Sequence, residues 1–500
     1  MYLGLDSSTQ SLTGLLLAVS DDEPRVLWQH SINFDTDLPQ FGTRHGVLPS
    51  DDPAVMVAPP QMWVAALELM FEALAGSGED LSQLTAISGA AQQHGSVYLA
   101  ADGSFSRAVS PIWMDTSTAD ECREITEALG GPAIVAQRTG SRAFERFTGP
   151  QIRKFYETEP HAYAETARIH LVSSFLASRL IDGDAPLDPG DASGMNLMDL
   201  ETANWWPDAV EATAPGLVTR LPAVVPSTTI AGRLAAKWQT KYGLPAAQVV
   251  VWTGDNPSSL IGTGLVEEGA VAVSLGTSDT IFGVMQTPRV SSSGIGHVFG
   301  APTGDYMGIT VFKNGSLARE RVRDAYGLDW NGFSAALRST PPGNGGALMY
   351  PWFEPEITPD VPMGRVRCVG LSPDDGPANV RAVVEAQMAS MATHVEWMGV
   401  SIRVIHATGG AAANREVLQV MADVFQAEVR QFGAGNSACL GAALRAWHAD
   451  AAQSGRAVPW TDIVKRGVGR PVATVQPNPE AAVPSRAMVD SWRSGLGAVL

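Results

Sequence analysis

Short apolar blocks broken by polar turns recur along the chain, and two of them are alike. Tyr2 to Leu5 are apolar, Asp6-Ser7-Ser8-Thr9-Gln10 make a polar turn, and Leu12 to Val19 resume the apolar run. The pattern predicts strand, turn, strand. It returns about 270 residues later as Ala270–Leu275, the small-residue turn Gly276-Thr277-Ser278, and Asp279–Met285. Laid over each other, Ser8-Thr9 falls on Thr277-Ser278 and Gly14 on Gly283. Such turns offer backbone N–H groups to an anion. One hairpin of this kind is ordinary architecture. Two in one chain point to a duplicated fold with two facing phosphate turns.

The stretch between residues 249 and 285 carries the densest chemistry. Val249 to Trp252 is a short apolar run that predicts a buried strand. It stops at Thr253-Gly254, which puts Asp255 and Asn256 at the strand's carboxyl end, where open α/β sheets bind ligands. Pro257 suits the start of a helix, with Asn256 as its cap.

Earlier, Trp63, Leu67, Met70 and Leu74 repeat at helical spacing within 59–75. Strands are predicted at Leu84–Ser88 and Val97–Leu99, joined by a polar loop with Gln92, Gln93 and His94. Asp115 or Ser117 caps the next helix, or Asp115 faces ligand hydroxyls beside the indole of Trp113. Arg146, between Phe144 and Phe147, is the basic residue of its segment expected to point inward. Asp191 and Ser193 to Asn196 line a cleft or form turns.

In the second half, Tyr306–Phe312 reads as a strand and Asn314 as the cap of the helix after it, with Lys313 in reach of a phosphate. Trp330 is either core or a lid over a flat base. The run Val404–Ala407 ends in Thr408-Gly409-Gly410, and a helix follows with Val417, Leu418, Met421 and Phe425 on one face. Glycines there let a ligand approach free N–H groups at a helix start. Asn436-Ser437 reads as the cap of a further helix, and the tail from Asp450 holds one or two helices without evident chemistry.

Five hundred residues predict two α/β domains, 1–250 and 251–500, with a tail from about 450. An apolar content of 45% with 17% charged residues describes a folded, soluble chain. A net charge of −18 argues against nucleic acid or an anionic membrane as partner. Cys122, Cys368 and Cys439 form no metal-ligand pattern and suit a reducing cytosol. The amino terminus lacks the basic start of a signal peptide, and no run approaches the ~18 apolar residues of a membrane span. A cytoplasmic monomer or homodimer is expected.

The segments SGAAQQHGSVYL, PIWMDTST, GSRAFERFTGPQI, LVSSFLAS, SGMNLMD, TGDNPSSL, EEGAVAVSLGTSDT, FKNGSL, GNGG, ATGGAAANREVLQVMADVF and NSACLGAA resemble, in one order from Met1 to Ala446, the FGGY carbohydrate kinases. The resemblance implies two actin-like (ribonuclease H-like) ATPase domains with the active site in the cleft between them. It is greatest to the members that act on D-xylulose, in their animal form. It implies ATP and Mg2+ as requirements, with Asp255 as general base on the sugar hydroxyl and Asn256 beside it. His94 and Arg146 would contact the sugar, with Gln93 and Asp115 nearby. Asp6, Thr9, Gly276 and Thr277 would line the phosphate and metal region, Asp6 and Asp255 holding the ion partly through water. Gly409, Gly410 and Asn414 would hold the adenosine, with Trp330 near the nucleotide. The loop before His94 is longer than in bacterial xylulose-directed members, and the stretch from His94 to Pro111 is short for the animal type. Another pentulose or polyol (ribulose, xylitol) is the alternative substrate, and an actin-like ATPase without kinase activity the alternative class.

Overall fold

The computed structural model describes residues 1–20, 23–433 and 435–500. Two seven-stranded sheets form the frame of the described residues. In the first, Glu23–Asn33, Ser11–Ser20 and Tyr2–Ser7 run antiparallel, and Ala86–Ala91 and Gln248–Val250 continue the sheet in parallel. The second repeats that order and those directions with Tyr306–Phe312, Asp279–Met285, Ala270–Leu275, Val404–Thr408 and Glu428–Gln431. The duplication suggested by the paired hairpins is therefore present at the level of topology.

Their register is not the same. Gly14 pairs with Leu5, two rungs from the pair Ser7↔Leu12 that closes its turn. Gly283 pairs with Val271, four rungs from the closing pair Leu275↔Asp279. The two glycines therefore sit two rungs apart relative to their turns, and the sequence overlay of Gly14 on Gly283 does not survive in space. The glycines answer different neighbours: a Cβ on Gly14 would strike Met70, and one on Gly283 would strike Val271.

The helix Pro60–Ala75 buries Trp63, Leu67, Met70 and Leu74 completely against the first sheet, as their spacing predicts. On the sheet's other face lies Ser437–Gln453, from late in the chain, across the sequence division at 250/251. A Cβ on Gly4 would sit 2.2 Å from the Cys439 carbonyl, so only glycine lets that helix seat. Against it packs Asp255–Gly262, the link to the second sheet. Gly262 and Gly441 meet the backbones of Ser437 and Ser258, and the Ser258 hydroxyl donates to the Ala438 carbonyl at 2.7 Å. These two helices join the lobes.

Several predicted caps are used otherwise. The helix begins at Asp255 with Gly254 before it, and Asn256 turns its amide to Gln93. Pro257 still falls in the first turn, where a missing N–H costs nothing. Asn314 is drawn to the Glu356 carboxylate at 2.9 Å, leaving Gly315 at the helix start. Asn436 has a left-handed backbone (φ 39°), not the extended one from which a cap side chain reaches. Asp115 and Ser117 also leave their helix uncapped, since it starts at Ala119.

Candidate active site

Asp6 and Thr253 lie on strands that flank Ala90 in the first sheet. Asp6 lies near the carboxyl end of one of these strands and Asp255 just past the end of the other, on either side of Ala86–Ala91. Burial pushes Asp255 up to about 6, against backbone N–H groups that hold it down. Burial and the nearby Asp255 charge push Asp6 up to about 8. The Asp255 Oδ1 accepts from the backbone N–H of Asn256 (2.8 Å) and from its Nδ2 (3.0 Å). Nδ2 also donates to Gln93 Oε1 at 3.0 Å, and Gln93 Nε2 to the Gly190 carbonyl at 3.2 Å. A continuous polar line thus runs from Asp255 through Asn256 to Gln93.

His94 continues it. Its backbone is left-handed (φ 71°), a costly state for a side chain with Cβ and one found at functional sites. Nδ1 lies 2.7 Å from the Gly194 carbonyl, which can only accept, so Nδ1 carries the proton and Nε2 is a bare acceptor. Burial and Arg146 lower its pKa to about 3, so the ring is neutral. The Arg146 guanidinium is half-buried, 5.6 Å over the Phe144 ring, with no hydrogen-bond partner among the described residues. Asp115 is buried, but its carboxylate accepts from the N–H groups of Met56 and Ser117 and the Ser117 hydroxyl. It shapes the loop that presents Trp113, whose indole donates to Thr9 Oγ1 at 2.8 Å. Asp191 is fully buried, hydrogen-bonded to Ser173, and belongs to the floor of this region.

The second hairpin turn, Gly276–Ser278, is held from behind. Ser316 N–H donates to the Gly276 carbonyl at 2.8 Å, and a Cβ on Gly315 would lie 2.6 Å from the Thr277 carbonyl. Asp279, next in sequence, makes a fully buried ion pair with Arg319 at 2.8 and 3.0 Å. Ser316 and Arg319 also line a cavity of about 580 Å³ with Trp330, Ser334, Gly410 and Asn414. That volume suits a nucleoside. Trp330 is exposed at its edge, with the Arg323 guanidinium 4.5 Å over its ring. Asn414 caps the helix Arg415–Phe425 through Oδ1 and donates to Ser334 through Nδ2. Gly409 (φ 89°) lines an adjoining cavity of about 360 Å³ with Ser274 and Thr408. Ser334 and Arg319 carried no signal in the sequence, being polar positions on helices. Lys313 is exposed, and its backbone N–H serves Glu356.

Whether a metal fits can be judged from the donors. No group of three or more His, Cys, Asp or Glu is arranged as a metal cage among the described residues. Asp6 Oδ1, however, is a buried carboxylate oxygen without a partner among them. A hard divalent ion that keeps most of its waters and takes one or two carboxylates fits that arrangement.

Family models for the N-terminal and C-terminal domains of the FGGY family of carbohydrate kinases match residues 1–262 and 271–449. The chain belongs to the FGGY family of carbohydrate kinases. This FGGY kinase is 41% identical to a xylulose kinase of Rattus norvegicus, over 96% of its own length and 93% of the relative's. Its fold matches the crystal structure of a xylulose kinase from Rhodospirillum rubrum with a TM-score of 0.86 at 20% identity, covering 100% of this chain and 98% of that one. It matches a gluconate kinase from Lactobacillus acidophilus nearly as well, with a TM-score of 0.85 at 17% identity over 99% and 97% of the chains. The fold therefore does not select the sugar. As a kinase of this family the protein uses ATP as its phosphoryl donor.

Proposed function

We propose that the protein transfers the γ-phosphoryl group of ATP to D-xylulose, giving D-xylulose 5-phosphate, with Asp255 as general base. The observation that carries the mechanism is the Asp255 carboxylate, oriented by Asn256 and made more basic by burial at the mouth of the first sheet. At neutral pH it is ionised yet closer to the ideal pKa of a base than an ordinary aspartate. Phosphoryl transfer asks mainly for positioning and charge neutralisation. His94 Nε2 would accept from a sugar hydroxyl and Arg146 would donate to one, while the line Asn256–Gln93 orders the floor between them. The turns at Thr9 and Gly276-Thr277 would grip the phosphates, and Trp330, Gly410 and Asn414 the nucleoside, with Gly409 admitting backbone to its phosphates. Asp6 and Asp255 would hold Mg2+, which when bound neutralises phosphate charge.

The choice of D-xylulose is supported by the 41% identity to a xylulose kinase across nearly the whole of both chains. A reducing, cytoplasmic setting is part of the proposal, in keeping with free thiols at Cys122, Cys368 and Cys439. The test is ADP release across D-xylulose, L-xylulose, D-ribulose, L-ribulose, xylitol and glycerol. The highest kcat/KM is expected for D-xylulose, and a higher value for any other acceptor would overturn the assignment.

A further inference from the structure

We propose that His297, from the second lobe, is a further sugar-contacting residue, joining His94 and Arg146 from the other lobe. It begins the strand His297–Gly300, at the edge of the second sheet. That strand is sewn to the first half of the chain: Val298 N–H donates to the Gly140 carbonyl and Gly300 N–H to Ser193 Oγ, both at 3.0 Å. Alternation along a strand puts His297 and Phe299 on one side. There the His297 ring lies edge-on to Phe144 at 5.0 Å and tilted against Phe147 at 5.5 Å. Phe147 is also the ring against which His94 packs, at 4.3 Å. The two histidines, one from each lobe, thus share an aromatic neighbour and the field of Arg146.

The ring nitrogens are what a packing role fails to explain. His297 is 7% exposed, and its Nδ1 is shut off from solvent with no hydrogen-bond partner among the described residues. A buried polar atom left unpaired costs about 1–3 kcal/mol. A phenylalanine, like the three already in this cluster, would fill the space without that cost. Burial beside Arg146, His94 and Arg142 keeps the imidazole neutral. A neutral imidazole carries a proton on one nitrogen and a lone pair on the other, so with Nδ1 enclosed Nε2 is the atom left to meet a hydroxyl of the ligand. Arg146 stands beside it, half-buried and without a hydrogen-bond partner among the described residues. Because His297 and His94 belong to different lobes, an acceptor held by both ties the lobes together.

This inference rests on the proposal that His94 and Arg146 face the sugar. The experiment is steady-state kinetics of His297→Phe, which keeps the aromatic packing and removes both nitrogens. The sugar KM should rise about tenfold or more, with the ATP KM unchanged. A wild-type sugar KM in His297→Phe overturns the proposal. Should that variant not fold, His297→Leu carries the same expectation and the same refutation. His94→Ala and Arg146→Ala separate the two levels. If they raise the sugar KM and the His297 variant does not, only the role of His297 fails. If they leave it unchanged, the sugar-side assignment fails and the inference with it.

Discussion

Replacing Asp255 by Asn should abolish most turnover and, at alkaline pH, stabilise the protein. The side chains are nearly isosteric, and an amide carbonyl can still accept from the Asn256 N–H. What is lost is the charge. The carboxyl titrates at about 6 in the fold, against 3.8 for an ordinary aspartate. At about 1.4 kcal/mol per pH unit, that difference sets an upper limit of about 3 kcal/mol. The sign follows from proton counting. Between pH 4 and 6 the folded state holds the proton and the unfolded state releases it, so stability falls as pH rises and the loss is complete above pH 6. The amide of the Asp255→Asn variant cannot ionise and escapes that loss. Scanning calorimetry of wild type and Asp255→Asn at pH 8 should show a rise in Tm of roughly 2–4 °C, shrinking to nothing near pH 4. Turnover with D-xylulose should fall on the order of 10²-fold or more. The same pH dependence of Tm in both proteins, or near-wild-type turnover in a folded variant, refutes the reasoning.

Arg319→Met should cost about 3–5 kcal/mol by urea unfolding, because it strands Asp279 as an unpaired buried charge behind the turn Gly276–Ser278. The cost should be smaller at pH 5 than at pH 8, since burial already raises Asp279 and protonation relieves it. Trp330→Ala should raise the ATP KM about tenfold while leaving the sugar KM alone, because its ring lines the 580 Å³ cavity and touches nothing near His94. Gly409→Ala should destabilise by about 1–3 kcal/mol and weaken ATP binding, since φ is 89° and the new Cβ would lie 2.5 Å from the Leu275 carbonyl. Thermal melts with and without ATP check both parts.

Much of the frame is legible in the apolar pattern. Tyr306–Phe312 and the hairpin Ala270–Met285 lie where alternation puts them, and the helix at Pro60 buries the four residues its spacing marks. The caps are less legible, because Asn256 and Asn314 each take a partner that is distant in the chain. Asp115 shows the same limit. Its neighbours allow a ligand contact or a cap, and the Met56 N–H, 59 residues away, takes the carboxylate instead. His297 sits in an unremarkable Gly- and Ser-flanked stretch, and nothing local distinguishes it from a solvated histidine.

What the chain decides alone is local: which stretches alternate, where small hydroxyl turns interrupt them, and that an Asp-Asn pair follows a buried strand. These depend on neighbours within a few residues, so they survive without a fold. What the tertiary structure decides is pairing at a distance: Gln93 with Asn256 across 163 residues, Arg319 with Asp279, and the two lobes' histidines on one phenylalanine. A polar side chain chooses its partner only when packing brings donor and acceptor within about 3 Å, and burial shifts a carboxyl only when the core has closed over it.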